Sequence, residues 1–414
     1  MTVSIAHAPW IKAAPTRALM TALEAAAPGG ARFVGGCVRN TLLARPVDDI
    51  DVATTLTPEA VVAAAEAAGL AAHPTGIEHG TITVVAQGRP FEVTTLRRDV
   101  STDGRRATVA FTTDWAQDAQ RRDFKMNALY ADPDGALYDP TGAGIADAKA
   151  GRVVFIGDAH TRIREDYLRI LRFFRFTAWY GQAPMDPVGL AACAALKTGL
   201  ATLSAERVWK ETKKLLAAED PRGALRAMAQ AGILELVIPE SDGLARIDRM
   251  VETETSQFLP YDAMQRLAAL LPGDPEIARS FARRLKLSNE ERARLVAVLD
   301  PEPRIVSYLS LRAVRRALYQ IGQEAFLDRV RRAWAAAPAG KADAQWRALL
   351  ALAEGWDRPV FPLTGEQVMA AGVPPGPLVG AVMREVEAWW IDADFTADEL
   401  SIAERLKAVV QGMI

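Results

Sequence analysis

Apolar and polar residues follow two different periods along this chain. In the first third, β-branched residues alternate with polar ones at 80–87 and 91–97, and the link Gly88-Arg89-Pro90 predicts that these two strands form a hairpin. Helical periodicity appears in the same region at 15–27 and from Thr57-Pro58 to Ala68. Further strand-like runs lie near 31–35, 49–54, 107–112 and 136–138. The pattern predicts a mixed α and β head that ends near residue 157.

From Ala159 onward the alternating period disappears, and Gly and Pro interrupt a helical period. Ser288-Asn289-Glu290-Glu291 and Thr364-Gly365-Glu366-Gln367 have the pattern of capping boxes, and a Gly-Pro-rich turn at 372–377 separates two late helices. The predicted fold class is an α+β head, with a small mixed sheet and helices, followed by an all-α neck, body and tail. The predicted domains are a head at 1–157, a neck at 158–225, a body at 226–310 and a tail at 311–414.

Composition and charge limit the class of protein. With 414 residues, half of them apolar, the chain can form two to four compact units. The net charge of −2 argues against a general nucleic-acid binder, although basic residues cluster locally. Cys37 and Cys193 predict neither a disulfide framework nor a zinc site. No signal-peptide pattern or membrane-spanning apolar run is present, so we expect a cytoplasmic protein with no membrane partner, and nothing implies a protein partner.

A glycine turn followed by two carboxylates carries the first candidate chemistry. Gly35 and Gly36 follow an apolar strand, so their backbone N–H groups could crowd round a phosphate, and Arg39 could add positive charge there. Asp49 and Asp51 lie two apart on a predicted strand and would share one face of it. Each piece alone is usually a simple turn or a solvated strand end. Together they could hold Mg²⁺ against a nucleoside triphosphate.

A third carboxylate, Glu92, lies on the strand predicted at 91–97. Two-metal phosphoryl transfer often uses such a group, so Glu92 is a catalytic candidate, and a solvent-facing strand residue is an equally good interpretation. The polar, Gly-containing segment at 97–107 that follows is predicted to be a loop joining strands.

Two adjacent arginines supply a second constellation. Arg121 and Arg122 could donate forked hydrogen bonds to triphosphate oxygens, and Asn127 could bond a sugar hydroxyl or a backbone group. Because adjacent side chains should not both point into one site, we expect at least one arginine to form a salt bridge with Asp118 or Asp123.

A third constellation lies on a helix predicted over 162–176. Asp166, Arg169 and Arg172 are three apart, so they would share one face of this helix. An acceptor and a donor side by side could complement the edge of a nucleotide base. A solvated salt-bridge ladder is the alternative, and the spacing alone favours it. Further along, a predicted helix offers basic side chains to RNA phosphates: Lys210, Lys213 and Lys214.

The three constellations together resemble the tRNA CCA-adding enzymes and bacterial poly(A) polymerases, specifically the class II branch. The resemblance rests on Gly35-Gly36-Cys37-Val38-Arg39, Asp49-Ile50-Asp51, Arg121-Arg122-Asp123-Phe124 with Asn127-Ala128, and Glu165-Asp166 with Arg169 and Arg172. It implies a nucleotidyltransferase head, and in that family the loop matching 97–107 lies beside the active site. One departure is Asn40, where the family usually has Asp.

The resemblance also implies roles for single residues. Asp49 and Asp51 would be the metal ligands and catalytic residues, and Asp166 with Arg169 would be the template that selects CTP or ATP. Arg172 and Arg175 would support the nucleotide or the primer. The nucleotide-binding candidates are Gly35, Gly36, Arg39, Arg121, Arg122, Asp123, Asn127, Asp166, Arg169, Arg172 and Arg175.

The implied function is CCA addition to the tRNA 3′ end from CTP and ATP with Mg²⁺. Poly(A) polymerase or A-adding activity is the alternative within the fold, and the acidic C-terminus without a long basic tail favours a tRNA enzyme. A non-catalytic RNA-binding protein is the alternative from a different class, and the intact Asp49 and Asp51 argue against it.

Overall fold

The structure, a computed structural model, describes residues 3–413 apart from 104, 105, 183, 339 and 341. Its contacts divide the chain into two compact units, Met1–Pro239 and Glu240–Ile414. The first unit holds a sheet and helices, whereas the described residues of the second form helices and their connections. The predicted fold class, an α+β head followed by a long helical region, is confirmed. The finer division into head, neck, body and tail stays a prediction.

A seven-stranded mixed sheet is the framework of the first unit. The described strands are β1 Ala31–Val34, β2 Asp51–Thr54, β3 Ala71–Gly76, β4 Thr81–Ala86, β5 Arg89–Thr95, β6 Arg97–Asp103, β7 Arg106–Phe111, β8 Tyr130–Ala131 and β9 Leu137–Tyr138. The strand order in this sheet is β3-β4-β5-β2-β1-β8-β9. β2 and β5 run parallel, and the other neighbouring pairs run antiparallel. The predicted β4–β5 hairpin is confirmed. Alternating burial along β4 shows that one face of this strand packs against the core.

The helices of the first unit pack on this sheet and continue beyond it. They are α1 Pro9–Lys12, α2 Ala14–Ala26, α3 Gly36–Leu42, α4 Pro58–Ala67, α5 Trp115–Gln120, α6 Gly144–Lys149, α7 Ala159–Glu165, α8 Leu168–Tyr180, α9 Pro187–Ala195, α10 Ala205–Leu216, α11 Arg222–Gln230 and α12 Leu234–Val237. Thr57 caps α4 through its side chain, with Pro58 at the first helical position, as the sequence predicts. The aromatic face of α8, Phe173, Phe174 and Phe176, is buried.

The predicted single helix over 162–176 is wrong, because α7 ends at Glu165 and α8 begins at Leu168. Asp166 has the extended angles φ −156° and ψ 107°. Its Oδ1 accepts a hydrogen bond from the backbone N–H of Leu168 at 3.1 Å. A short carboxylate side chain that bonds the backbone two residues ahead competes with helix continuation, and here it starts a new helix.

The predicted loop at 97–107 is also wrong, because β6 and β7 pair antiparallel as a separate two-stranded sheet. Strand formation agrees with the β-branched residues of this segment, Val100 and Thr102. Residues 104 and 105 of this predicted loop lie outside the described residues.

The described residues of the second unit form helices that enclose apolar cores. One such core lies around Trp334 and Trp346, and another around Val386 and Trp390. Both predicted capping boxes are present, at Ser288 and Thr364. No helix in the described part of the chain is sufficiently long and apolar to span a membrane. The helices are α13 Leu244–Ser256, α14 Ala263–Leu270, α15 Pro275–Arg284, α16 Asn289–Leu299, α17 Leu311–Ile321, α18 Gln323–Ala336, α19 Asp343–Glu354, α20 Gly365–Ala370, α21 Pro377–Asp392 and α22 Glu399–Met413.

Candidate active site

The glycine turn lies between β1 and α3. Gly35 has φ +71° and ψ −116°, a conformation that L side chains rarely adopt, so this position requires glycine. A Cβ on Gly35 would lie 3.7 Å from the Nη1 of Arg122, and a Cβ on Gly36 would lie 4.0 Å from the Nη2 of Arg39. Two guanidinium groups therefore lie beside the turn at which α3 begins. Positive side chains next to free backbone N–H groups form an arrangement that can bind an anion.

A cavity of about 790 Å³ opens at this turn. It brings together most of the residues that the sequence predicts as site residues. Glu92, Lys210 and Lys213 are the predicted residues that do not line it. The predicted residues on its wall are Gly35, Gly36, Arg39, Asp49, Asp51, Arg121, Arg122, Asp123, Asn127, Asp166, Arg169, Arg172, Arg175 and Lys214.

The two carboxylates reach the cavity from different local structures. Asp51 is the first residue of β2, whereas Asp49 lies in the segment before it, so the expectation that both lie on one strand is wrong. Glu92 is paired with Asp51 across the parallel β2–β5 ladder and is exposed. Burial, and then the charge of Glu92, raises the pKa of Asp51 to about 6. A cation bound here would relieve both effects.

The donor set at the two carboxylates fits a magnesium ion. In the described part of the chain, no three His, Cys, Asp or Glu side chains form a ready-made metal cluster. Mg²⁺ commonly binds through one or two carboxylates and completes its shell with substrate phosphates and water, so Asp49 and Asp51 suffice for it. Cys37, also on the wall, is buried, and burial raises the pKa of its thiol to about 12, so it is not a thiolate ligand.

Both adjacent arginines bond the same carboxylate, Asp118. Arg121 Nε lies 2.8 Å from Asp118 Oδ1, and Arg122 Nη2 lies 3.0 Å from Asp118 Oδ2. The Tyr130 hydroxyl donates a further hydrogen bond of 2.7 Å to this carboxylate. Burial alone would raise the pKa of Asp118, but Arg122 and Arg121 outweigh burial and lower it to about 2. The expectation that adjacent side chains cannot both reach one site is wrong, because this shared anchor aims both at the cavity.

Asn127 and Asp123 connect Arg39 to Arg172 beneath the cavity. Asn127 Oδ1 accepts a hydrogen bond from Arg39, and Asn127 Nδ2 donates one of 3.0 Å to Asp123 Oδ1. Arg172 Nε donates to Asp123 Oδ2 at 2.7 Å. Burial opposes ionisation of Asp123, yet Arg172 and Asn127 lower its pKa to about 2. The polar atoms of Asn127 therefore already serve this network.

Asp166 and Arg169 meet at the cavity wall although they do not share a helix face. Asp166 Oδ2 accepts a hydrogen bond of 2.7 Å from Arg207 on α10. Arg169 pairs with Glu165 and donates to two backbone carbonyls, those of Arg162 at 2.7 Å and Arg121 at 3.1 Å. Both side chains are therefore held in place before any ligand binds. Sequence reasoning missed the contact of Arg207, since only the pairing of α8 with α10 in space reveals it.

Helix α10 closes one side of the site. The buried carboxylate of Glu211 accepts a hydrogen bond of 2.5 Å from Arg175. Lys214 lines the cavity, and burial together with the nearby charge of Arg175 lowers its pKa. Lys210 and Lys213 are exposed on the same helix.

Comparison with known proteins agrees with this geometry. The family model for the poly A polymerase head domain matches residues 31–154, and the model for the probable RNA and SrmB-binding site of polymerase A matches 184–244. The chain is 33% identical to the mitochondrial CCA tRNA nucleotidyltransferase 1 of Danio rerio, over 87% of this chain and 83% of the relative. It is 31% identical to the CCA-adding enzyme of Limosilactobacillus fermentum, over 93% and 94% of the two chains.

Solved structures give the same result. The Bacillus stearothermophilus CCA-adding enzyme in complex with CTP superposes with a TM-score of 0.73 and 26% identity, covering 97% of this chain and 99% of that one. The Thermotoga maritima CCA-adding enzyme complexed with tRNA, at 19% identity and a TM-score of 0.67, shares the fold. The resemblance found in the motifs is therefore confirmed, and the chain belongs to the class II CCA-adding enzyme family of tRNA nucleotidyltransferases.

Proposed function

We propose that this protein builds or repairs the CCA end of tRNA from CTP and ATP, with Mg²⁺ as its metal. The observation that carries the proposal is one cavity that joins a glycine turn, two carboxylates, a set of arginines and the Asp166–Arg169 pair. In the reaction, the 3′-hydroxyl of tRNA attacks the α-phosphate of the nucleotide, the bond to the β-phosphate breaks, and pyrophosphate leaves. Mg²⁺ held by Asp49 and Asp51 would supply activation of the hydroxyl and charge stabilisation of the leaving group.

The glycine turn and its flanking arginines would hold the triphosphate. The turn offers the backbone N–H groups at the start of α3, and Arg39 and Arg122 lie on its two sides. Arg121 shares the Asp118 anchor and reaches the same cavity. Fixed donors of this kind stabilise the charge that develops as pyrophosphate leaves, and they need little reorganisation during the reaction. Arg172 and Arg175 would extend the positive surface toward the nucleotide and the primer.

Asp166 and Arg169 would select the base. Cytosine and adenine each present an amino donor next to a ring-nitrogen acceptor, which an acceptor and a donor side by side complement. Uracil and guanine carry an N–H where that acceptor should be, so they would leave polar groups unpaired at about 1–3 kcal/mol each. The support is that Arg207 anchors Asp166, while Glu165 and two backbone carbonyls anchor Arg169.

The exposed side of α10 would face the RNA. Lys210, Lys213 and Lys214 are all exposed and would contact phosphates, and Lys214, which also lies on the cavity wall, would contact those of the nucleotide or of the end of the primer. Contacts to phosphates and shape give affinity without reading base sequence, which suits an enzyme that acts on many tRNAs.

The test offers CTP and ATP, separately and together, with tRNA that lacks its 3′ end and with an unrelated RNA. We expect two C residues and then one A on the tRNA, and no extension of the unrelated RNA. Runs of A on either RNA would indicate a poly(A) polymerase, and A addition restricted to tRNA ending in CC would indicate an A-adding enzyme. Absence of incorporation by the Mg²⁺-loaded protein would support the non-catalytic alternative. Asp51→Asn is the control for contaminating activity.

A further inference from the structure

Arg39 is held by neutral groups. Its side chain is 7% exposed, and its hydrogen bonds go to three oxygens without charge. Nη2 donates to Asn40 Oδ1 at 2.9 Å and to the Tyr180 hydroxyl at 2.7 Å, and Nη1 donates to Asn127 Oδ1. Among the described residues, no carboxylate accepts a hydrogen bond from Arg39.

Six other arginines on the cavity wall have a carboxylate partner within salt-bridge distance. Their charges are therefore balanced by direct contact before a nucleotide binds, whereas the charge of Asp123 reaches Arg39 only through Asn127. These pairs are Arg121 and Arg122 with Asp118, Arg169 with Glu165, Arg172 with Asp123, Arg175 with Glu211, and Arg207 with Asp166.

The side chain of Asn40 explains how Arg39 is positioned without being neutralised. Asn40 Oδ1 accepts from Arg39, while Asn40 Nδ2 donates to the carbonyl of Pro46 at 2.8 Å. A carboxylate at position 40 could accept from Arg39 but could not donate to Pro46, so an amide makes both bonds whereas a carboxylate would make one. The amide thereby ties the guanidinium to the segment that follows α3.

Tyr180, the last residue of α8, holds the other side of Arg39. Its hydroxyl accepts from Arg39 and donates to Asn40 Oδ1 at 3.2 Å. The Arg39 guanidinium carbon lies 4.2 Å from the centre of the Tyr180 ring, which is within the range of a cation–π contact. Asn40 and Tyr180 therefore fix Arg39 from two elements that are distant in sequence.

Burial without a directly bonded carboxylate has an energetic consequence. Desolvation lowers the pKa of Arg39 and outweighs the opposing effects of Tyr180 and of the Asp123 charge, although an arginine stays protonated in proteins. A buried cation without a directly bonded anion gains more from an incoming anion than one already paired. Arg39 Nη2 lies 4.0 Å from the position of a Cβ on Gly36, so the anion that approaches the turn is next to this charge.

We propose that Asn40 and Tyr180 are positioning residues that present Arg39, which no carboxylate contacts directly, to the polyphosphate of the incoming nucleotide. The inference rests on the proposed function, since it assigns the glycine turn to the triphosphate. It predicts that charge at position 40 sets affinity for CTP and ATP equally, because both nucleotides carry the same polyphosphate. Base selection, which is assigned to Asp166 and Arg169, should not depend on it.

The test measures binding of inorganic tripolyphosphate by calorimetry and the KM values for CTP and ATP on tRNA lacking its 3′ end. Asn40→Asp supplies the missing carboxylate, so we expect tripolyphosphate affinity to fall about tenfold and both KM values to rise about tenfold, with kcat within about threefold. Tyr180→Phe keeps the ring and loses one acceptor, so we expect a smaller rise of about threefold in both KM values.

Salt dependence separates electrostatic positioning from a merely structural role. Tripolyphosphate affinity should fall less steeply with salt in Asn40→Asp than in the wild type, because one cation of the cradle is neutralised. Asn289→Asp, the same change at an exposed position in α16, is the matched control and should leave tripolyphosphate binding unchanged.

Three results would overturn the inference: unchanged tripolyphosphate affinity in Asn40→Asp, a rise in KM for only one of the two nucleotides, or an affinity loss with an unchanged salt slope. Tripolyphosphate binding requires no polymerisation. A wild-type protein that binds tripolyphosphate but incorporates no nucleotide would therefore reject the proposed function while this inference could still be decided.

Discussion

In the first unit, Arg39 is buried with hydrogen bonds to neutral oxygens, whereas in the second unit Arg266 is fully buried against the carboxylate of Glu254. Arg266 Nη2 lies 2.7 Å from Glu254 Oε2, and the two residues join α14 to α13. Burial raises the pKa of Glu254, although Arg266 counteracts part of this effect. The charge of Arg39 is therefore available to a ligand, whereas the charge of Arg266 is paired with that of Glu254.

The comparison distinguishes buried charges that are available to a ligand from buried charges that stabilise the fold by pairing within the protein. In the second unit, Arg294 on α16 likewise lies 2.6 Å from Asp262, which caps α14, and 2.7 Å from Asp328 on α18, so its charge is used within the protein. In the first unit, the carboxylates Asp49 and Asp51 face a cavity, and the pKa of Asp51 is raised, which indicates a site that is completed by a cation. Substitutions in the two units should therefore affect different quantities.

The largest expected effect is on activity in the first unit. Asp51→Asn removes a charge that would hold Mg²⁺, so we expect incorporation of C and A to fall at least about 1000-fold, or roughly 4 kcal/mol in activation free energy. The midpoint of urea unfolding without metal should stay the same or rise, because a buried carboxylate is replaced by a neutral amide. Near wild-type incorporation by Asp51→Asn, or by Asp49→Asn, would reject the metal assignment.

The next effect is on stability in the second unit. Arg266→Met leaves Glu254 as an unpaired buried carboxylate, so we expect the free energy of unfolding to fall by about 3 kcal/mol. The double variant Arg266→Met with Glu254→Met should recover much of this loss, because it removes both charges. Urea unfolding measures the stability, and calorimetry should show unchanged CTP affinity below the transition. If Arg266→Met lowered the free energy of unfolding by less than about 1 kcal/mol, the value typical of an exposed ion pair, Arg266 would not be a structural charge of the kind contrasted with Arg39.

The sequence predicted those features that depend on local pattern. The β4–β5 hairpin, the helix start at Thr57-Pro58 and the two capping boxes follow from short-range residue patterns, and the structure confirms them. The glycine turn and the two carboxylates of the site were also predicted, because such short motifs can be recognised in the sequence. Asp118 lies three and four residues before the arginines it anchors, so helical spacing could have revealed that it serves both.

Features that depend on contacts in space were not predictable in the same way. The break between α7 and α8 is set by the side chain of Asp166, whereas the surrounding sequence has a continuous helical period. Two hydrogen-bond acceptors of Arg39 belong to Asn127 and Tyr180, which are 88 and 141 residues away in the sequence. Periodicity carries no information about such pairings, which is why the role of Asn40 became apparent only in the structure.

A smaller effect concerns base selection by the first unit. Asp166→Ala removes the acceptor of the pair, so discrimination against UTP and GTP should fall about tenfold, in line with 1–3 kcal/mol per unpaired group. Incorporation of all four nucleotides onto tRNA lacking its 3′ end measures this. Arg207→Ala is the companion variant, because it keeps the Asp166 carboxylate but removes the hydrogen bond that positions it. We expect this variant to lose incorporation rate more than nucleotide selectivity. Unchanged selectivity in Asp166→Ala would show that the ion pair between Asp166 and Arg207 is structural, like those of the second unit.

The smallest effect is a shift in pH dependence at the carboxylates. Because burial and Glu92 raise the pKa of Asp51 to about 6, the folded protein binds more protons than the unfolded chain between about pH 4 and pH 6. Metal-free stability attributable to Asp51 is therefore greatest below pH 4 and is lost as pH rises through 6. Protons compete with Mg²⁺ for the same carboxylate, so the apparent Mg²⁺ affinity should fall as pH drops below about 6.

Glu92→Gln distinguishes the two interpretations of Glu92. If Glu92 acts only through its charge on Asp51, its removal lowers the pKa of Asp51, and the pH midpoint of Mg²⁺-dependent incorporation should move down by less than about one unit, with little change of rate at pH 8. If Glu92 is a third catalytic carboxylate, the rate should fall about 100-fold or more at every pH. Glu66→Gln, an exposed change of the same kind on α4, should alter neither quantity. A pH midpoint and a rate that both stay unchanged in Glu92→Gln would show that Asp51 owes its raised pKa to burial and the charge of Asp49, without Glu92.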